Sequence, residues 1–203
     1  NHLKFSGRQH VALFVPHVCD DPEAALARAG RHAKGEDIAA ESIDPCRSPS
    51  NESKSRLYQH YCRQAGITCR LFGVPTLRGA NYPVQLLKYL RVVFPDGRLP
   101  CDAAICSNDD LALTMMQWAA GQGYVIGDDL AVIGWDNIDV AQTMNPPLAS
   151  VSYDQQLLAR KVHDQVMRRL TQRDASAEAI QVPRHFIWRE SAGPQVAGIV
   201  DGQ

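Results

Sequence analysis

Five short apolar runs alternate along the chain with longer segments in which apolar residues recur every three or four positions. Continuous apolar runs of this length are typical of strands buried on both faces, whereas the longer spacing is typical of helices with one buried face. The predicted strands are residues 10–15, 68–74, 102–106, 130–135 and 149–153, and the predicted helices are residues 53–65, 83–93, 109–122 and 154–171. The alternation predicts an α/β fold, a doubly wound parallel sheet covered by helices.

The stretch from residue 17 to residue 51 interrupts this alternation because it is long and polar. Its alanine-rich part, Glu23 to Lys34, is compatible with a short exposed helix, and Pro45 to Ser50 is rich in proline and serine. A loop of more than about 15 residues in a compact domain is usually functional or mobile. We therefore treat residues 17–51 as a long polar insertion whose role the sequence leaves open.

The last part of the chain contains one more strand-like run, at residues 180–188. A segment with glycine and proline follows at residues 192–203. We expect one domain over residues 1–191 and a frayed tail after it.

The charges of the 203-residue chain nearly cancel, with 21 basic and 22 acidic side chains. Nothing in this balance requires a nucleic acid or an anionic membrane as the partner of these residues. A run of about 18 apolar residues is absent, and residues 1–7 lack the charged-then-apolar pattern of a targeting signal. We expect a cytoplasmic protein without membrane contact, whose six cysteines, none in a Cys-x-x-Cys pair, are reduced thiols.

Two predicted strand ends carry polar residues, Asn108 after "DAAICS" and Asp136 after "LAVIGW". Open α/β sheets bind ligands beyond the carboxyl ends of their strands, where an amide and a carboxylate together can hold hydroxyl or amine groups. The alternative for each residue is a helix cap. Arg56 is a third candidate because its planar guanidinium suits paired hydroxyls or a carboxylate, although an exposed arginine is ordinarily a solvated charge.

The helix predicted at residue 109 has clear start and stop signals. Ser107, followed three residues later by Asp110, predicts a capping box, and Gly121 and Gly123 predict the end of the helix. If Ser107 and Asp110 cap the helix, Asn108 faces the cleft beside Asp136.

Standard catalytic signatures are missing from the sequence, including the phosphate-binding loop, the zinc-protease helix and the nucleophile elbow. The seven histidines form no metal-ligand spacing with cysteines or acids. Cys106 ends an apolar run, so a small buried hydrophobe is the better interpretation of it than a catalytic thiol. We expect a binding domain that is not an enzyme and that carries no cofactor or metal.

Five motifs stand in order along the chain: "HLKFSGRQHVALF", "SRLYQHYCRQAGI", "DAAICSNDDLALTMMQWAAGQGYVIGDDLAVIGWDN", "NPPLASVSYDQQLLARKV" and "FIWRES". Together they resemble the effector-binding domain of the lactose-repressor/galactose-repressor (LacI/GalR) family of bacterial transcription regulators, whose sensor is similar to periplasmic sugar-binding proteins. The resemblance implies a periplasmic-binding-protein-like fold, here mostly the C-terminal subdomain with part of the N-terminal one. The family's DNA-binding head and hinge precede these motifs and are not in this sequence.

The resemblance also implies roles for individual residues. Asn108 and Asp136 fall where family members contact the effector, and Arg56 falls on the arginine that often grips sugar hydroxyls or a corepressor. Leu77 falls where some members place an aromatic side chain against the ligand, so that stacking surface is missing, and Tyr153 is a candidate to supply one instead.

The family resemblance extends to assembly. Leu113 and Met144 fall where lactose-repressor-like proteins pair, although core packing would equally explain an apolar residue at either position. The expected partners are therefore a small polar effector, a second copy of the chain, and operator DNA through the missing head.

The function expected from the resemblance is that of an effector-sensing domain that modulates operator affinity. A periplasmic-type solute-binding protein is one alternative. A sensor of the same kind fused to a xylose-activator-type DNA-binding head is the other.

Overall fold

The computed structural model of the chain describes residues 7–33, 49–77, 79–172 and 179–194, which form a sheet between two layers of helices. The sheet has six strands in the order β2-β1-β3-β4-β5-β6. The strands are β1 (His10–Val18), β2 (Thr68–Thr76), β3 (Ala103–Cys106), β4 (Ala131–Trp135), β5 (Ala149–Tyr153) and β6 (Arg184–Ile187). Strands β1 to β5 are parallel, and β6 runs antiparallel to β5. The predicted fold class is confirmed.

Five α-helices connect the strands. They are α1 (Pro22–Ala33), α2 (Pro49–Ala65), α3 (Tyr82–Val93), α4 (Asp109–Gly121) and α5 (Gln155–Thr171), with short 3₁₀ helices at Asp139–Gln142 and Glu190–Ala192. Four of the helices were predicted from apolar spacing, and their ends agree with the prediction to within four residues. Within the described ranges every helix is too short or too polar to cross a bilayer.

Alternate residues of β1 enter two separate cores, as expected of a strand covered on both faces. Ala12 and Phe14 pack with α3 and α4, whereas Val11, Leu13 and Val15 pack with α2. This two-sided burial explains why the predicted strands read as continuous apolar runs.

Within residues 17–51, the structure describes residues 17–33 and 49–51, and the alanine-rich part forms a helix close to the place that the sequence allowed. Residues 17 and 18 continue β1, because β1 pairs with β2 in register from His10 opposite Thr68 to Val18 opposite Thr76. Helix α1 is a packed helix, with Leu26 and Ala29 against the core. Residues 34–48 lie outside the described residues.

The start of the predicted tail is also folded. Ala192 is fully buried, and the hydroxyl of Ser191 donates to the carbonyl oxygen of Val132 (2.6 Å) while accepting from the backbone N–H of Ala149 (2.8 Å). These bonds tie the "FIWRES" motif to β4 and β5, so the ordered domain continues past residue 191.

Helix α5 has a surface unlike that of the other helices. None of its residues is fully buried, and four of its apolar side chains are exposed: Val162, Val166, Met167 and Leu170. The helix therefore presents an apolar face that no described residue covers.

Candidate functional site

The strand order places a topological switch point at the carboxyl ends of β1 and β3. From β1 the chain goes to β2 on one side and returns through α3 to β3 on the other side. Such a switch of direction separates the loops beyond the strand ends, and open α/β sheets bind ligands there. Asn108 follows β3 and Asp136 follows β4, so both lie at this edge of the sheet on neighbouring strands.

Asn108, rather than Ser107, is the N-cap of α4, so the predicted capping box of Ser107 and Asp110 is wrong. The backbone of Asn108 is extended, and its side-chain oxygen accepts from the N–H of Leu111 at 2.9 Å. The capping bond orients the half-buried side chain and leaves its amide nitrogen without a hydrogen-bond acceptor among the described residues. The helix ends at Gly121, as predicted.

Asp136 lies in a turn with left-handed backbone geometry, with φ of 108° at Asp136 and 52° at Asn137. Neither residue caps the following 3₁₀ helix, whose N-cap is Ile138, so the capping alternative for them is wrong. The Asp136 carboxylate is half-buried and accepts no hydrogen bond from a described residue. Burial raises its pKa above the usual range, while the nearby charge of Lys54 acts to lower it.

A buried network beneath this turn fixes its geometry. The carboxylate of Asp109 is 1% exposed and accepts from the Ser150 hydroxyl at 2.6 Å and from the N–H of Ile138 at 2.8 Å. The same hydroxyl accepts from the N–H of Asn137 at 3.1 Å. The turn is therefore held from both α4 and β5 by bonds that do not involve the Asp136 side chain.

Arg189 holds the turn from a third direction. Its guanidinium donates to the carbonyl oxygen of Leu148 and, at 2.7 Å, to the side-chain oxygen of Asn137. Because the planar guanidinium makes both bonds at once, it fixes the position of Asn137 relative to β5.

Two cationic side chains approach the ring of Trp135 at the end of β4. The Lys54 ammonium lies 4.3 Å from the Trp135 ring centroid, and the Arg184 guanidinium lies 5.2 Å from it. The Tyr58 ring meets the Trp135 ring edge-on, with centroids 6.4 Å apart. Lys54 also donates to the carbonyl oxygen of Ser107 at 3.3 Å, so the cluster reaches the end of β3.

The other predicted effector residues are more dispersed. Arg56 is exposed and lies two positions after Lys54, which is about 200° around the helix axis. Leu77 is 51% exposed beyond β2, two strands away from β3. Tyr153 is half-buried at the end of β5, opposite Arg184 of β6. The structure thus brings Asn108 and Asp136 together with Tyr153 nearby, and it places Leu77 at the far edge.

The two predicted dimer residues differ in their surroundings. Leu113 is partly buried and packs against the core beneath α4. Met144 is half-buried in the segment between the 3₁₀ helix and β5.

The described residues contain no group of three or more histidine, cysteine or acidic side chains placed to hold a metal ion. Burial raises the pKa of Cys106 well above its usual range, which favours the unreactive thiol over the thiolate.

Sequence reasoning missed Lys54, Trp135 and Arg184. Lys54 and Tyr58 are four residues apart on a helix, and this spacing indicates that the two side chains share a face. Arg184 carries no such signal, because it reaches Trp135 only through the pairing of β6 with β5.

This architecture defines an α/β domain of the doubly wound, periplasmic-binding-protein-like class. A family model described as a periplasmic binding protein-like domain matches residues 1–192. The lactose operon repressor of Rhizobium radiobacter is 33% identical over 91 residues, which are 45% of this chain and 80% of that protein. The HTH-type transcriptional repressor PurR of Mannheimia succiniciproducens is 29% identical over 89 residues, which are 44% of this chain and 27% of that protein.

Solved structures have the same fold. The dimeric Lac repressor with an 11-residue C-terminal deletion superimposes with a TM-score of 0.68 at 18% identity, over 96% of this chain and 59% of that one. A LacI family transcriptional regulator from Arthrobacter sp. FB24 in complex with lactose gives 0.62 at 19% identity, over 94% of this chain and 60% of that one. The chain belongs to the periplasmic binding protein-like family, as an effector-binding domain of the LacI/GalR type. It spans about three fifths of the length of these solved relatives.

Proposed function

We propose that this domain is the ligand sensor of a bacterial DNA-binding transcription regulator and that a small polar effector binds at the carboxyl edge of its sheet. The observation that carries the proposal is the Asp136 carboxylate, half-buried and without a hydrogen-bond donor among the described residues. A desolvated carboxylate without a donor is costly, and ligand hydroxyl or amine groups would supply the missing bonds.

The neighbours of Asp136 suit such a ligand. Asn108 offers an amide group on the adjacent strand, and its cap bond holds that group in one orientation. Tyr153 offers aromatic surface on the same edge of the sheet, where the Trp135 ring is approached by Lys54 and Arg184. Sugar-like molecules combine hydroxyl edges with apolar faces, and such sites recognise both. The lactose complex of the Arthrobacter regulator supports this class of ligand.

The proposed regulatory step is a change in the population of two domain arrangements. An effector that binds one arrangement more tightly must alter the operator affinity of a DNA-binding head coupled to it, and the head must alter effector affinity by the same factor. Such a regulator would work in the cytoplasm as a homodimer, with Leu113 and Met144 as the proposed contact residues.

The two alternative functions predict different effects of ligand on DNA binding and transcription. A solute receptor would bind its ligand without any effect on DNA binding. A sensor with a xylose-activator-type head would respond to ligand in the same way but would activate transcription. An operator-binding measurement with and without ligand separates the receptor from both regulators.

A thermal-melting screen of the whole protein tests the proposal. The panel contains glucose and galactose with their acids and 6-phosphates, and also lactose, xylitol and hypoxanthine. A binding member raises the melting temperature, and Asp136→Ala should abolish this rise while remaining folded, as should Arg56→Ala if that arginine contacts the ligand. Asp128→Ala is the matched control, because Asp128 is exposed and precedes the opposite end of β4. An equal response in the wild type and in Asp136→Ala would place the ligand elsewhere.

A further inference from the structure

Lys54 and Arg184 are the two cations that approach Trp135, and neither is neutralised by a direct ion pair with a described residue. Lys54 donates its single hydrogen bond to a backbone carbonyl, that of Ser107. Arg184 has the Trp135 ring as its neighbour and no hydrogen-bond acceptor among the described side chains. Both cations can therefore accept a further anionic partner.

Three acidic residues lie near Lys54 and Arg184, but none of them forms a direct ion pair with either cation. Both oxygens of the buried Asp109 carboxylate already accept hydrogen bonds, from Ser150 and from the backbone of Ile138. Asp110 is exposed to solvent in the first turn of α4. Asp136 acts on Lys54 through its charge but lies beyond ion-pair distance from it.

A further basic group near this turn, Arg189, already donates hydrogen bonds to described residues. The guanidinium of Arg189 is held by Leu148 and Asn137. At this edge of the sheet, Lys54 and Arg184 therefore lack a direct ion pair with a described residue, and the Asp136 carboxylate lacks a hydrogen-bond donor among the described residues.

The partial burial of Lys54 strengthens its interaction with any anion that binds beside it. Lys54 is half-buried, and the loss of water around its ammonium lowers its pKa from the usual range. A partly desolvated cation gains more from an anion than a cation in bulk water does, because the local dielectric is lower. A neutral polyol could satisfy Asp136 and the amide of Asn108, but it would offer the two cations only neutral oxygens.

We infer that the effector is a small hydroxylated molecule with one anionic group, a carboxylate or a phosphate. Its hydroxyl groups bind Asp136 and Asn108, and its anionic group binds Lys54 and Arg184 beside Trp135. This inference rests on the proposed function, since it assigns the ligand class of the same site.

Matched ligand sets test the inference by calorimetric titration of the whole protein. The sets are glucose with gluconate and glucose 6-phosphate, galactose with galactonate and galactose 6-phosphate, and xylose with xylonate and xylose 5-phosphate. In at least one set an anionic member should bind about tenfold or more tightly than its neutral parent. The carboxylate and phosphate members distinguish the two kinds of anion.

Variants assign the effect to the two cations. Lys54→Met and Arg184→Gln should each weaken binding of the anionic member about tenfold or more and leave binding of the neutral parent within about threefold. Lys88→Met and Arg91→Gln are the matched controls, because both positions are on α3, away from Trp135, and Lys88 pairs with Glu23. The controls should bind as the wild type does.

Three outcomes overturn the inference, and they differ in what they say about the proposed function. If a neutral sugar binds as tightly as its acid and Asp136→Ala abolishes that binding, the inference fails and the proposed function stands. If the anionic ligand binds Lys54→Met and Arg184→Gln as tightly as it binds the wild type, its anionic group binds at another place and the inference fails. If no member of any set binds the wild type, both the inference and the proposed sugar-like effector class fail.

Discussion

The hydroxyl of Ser150 donates a 2.6 Å hydrogen bond to the buried carboxylate of Asp109. This bond joins β5 to the first turn of α4 directly beneath the turn that carries Asp136. The position of a candidate ligand-binding side chain therefore depends on two residues that are themselves buried away from the site.

Ser150→Ala should destabilise the domain and weaken ligand binding. The substitution removes a donor from the Asp109 carboxylate and an acceptor from the N–H of Asn137, and unsatisfied buried groups cost about 1–3 kcal/mol each. Urea unfolding measures the loss in the free energy of unfolding. Ser152→Ala is the control, because Ser152 is also buried on β5 and makes no hydrogen bond through its side chain within the described residues. Equal losses in the two variants would show that the network does not stabilise the turn.

Gly134→Ala should also be destabilising, because a methyl group at Gly134 would overlap the carboxylate oxygen of Asp109 and press on Leu148. Overpacking of a dense core typically costs about 1–3 kcal/mol. Gly121→Ala provides the contrast, since nothing lies within 4 Å of the added methyl group there. Alanine at Gly121 should be neutral or stabilising by up to about 1 kcal/mol, because it favours the helical conformation more than glycine does. Thermal unfolding of both variants checks the opposite signs.

The sequence predicted the strands and helices well where burial left a clear periodic pattern. Strand β5 matches its predicted run at both ends, and α4 starts at the predicted residue. Helix α1 was less clear, because its packed face includes the small residues Ala29 and Gly30 beside Leu26, which gives a weak apolar signal. The polar ends of β1 and β2 were also missed, since their mutual pairing extends both strands past the apolar run.

The site was predictable only in part. Asn108 and Asp136 stand out because each directly follows an apolar strand. Which residue caps α4 was not decided by residue type, since Ser107 and Asn108 both suit an N-cap, and the backbone conformation selects Asn108. Arg184 and Arg189 reach the site through contacts with residues far away in sequence, which no local pattern can reveal.

Lys54→Met should raise the pKa of Asp136 further, because the Lys54 charge is what lowers it against the effect of burial. Carboxyl carbon chemical shifts measured by NMR over a pH series report this value directly. The control Lys88→Met should leave the pKa of Asp136 unchanged, since Lys88 pairs with Glu23 at the surface. An unchanged pKa in Lys54→Met would mean that the two groups do not interact.

The raised pKa of Asp136 also makes the free energy of unfolding depend on pH. The folded-state pKa of Asp136 is raised, so the folded state binds more protons than the unfolded state between the ordinary value of about 4 and the raised value. The stability contributed by Asp136 is present below about pH 4 and is lost as the pH rises through the raised value. In Lys54→Met this loss should extend to higher pH, which unfolding measurements across the acid range can follow.

The proposed homodimer can be tested with two surface substitutions. Met144→Glu should weaken dimerisation about tenfold or more if Met144 lies in the interface, because a carboxylate would then be buried without a partner. Leu170→Glu, on the exposed apolar face of α5, should leave the dimer intact. Sedimentation velocity over a concentration series distinguishes the two. Dissociation by Leu170→Glu alone would assign the interface to α5.

The most direct test of the proposed site is calorimetric titration of the wild type and of Asp136→Asn with the compound that gives the largest rise in melting temperature. Asparagine keeps the size of the side chain and tolerates the left-handed backbone of this turn, so the domain should remain folded. Binding of the effector through Asp136 predicts a loss in affinity of about tenfold or more, since hydrogen bonds to a charged group contribute about 1.5–3 kcal/mol. An unchanged dissociation constant in Asp136→Asn would contradict the assignment of the effector to this edge of the sheet.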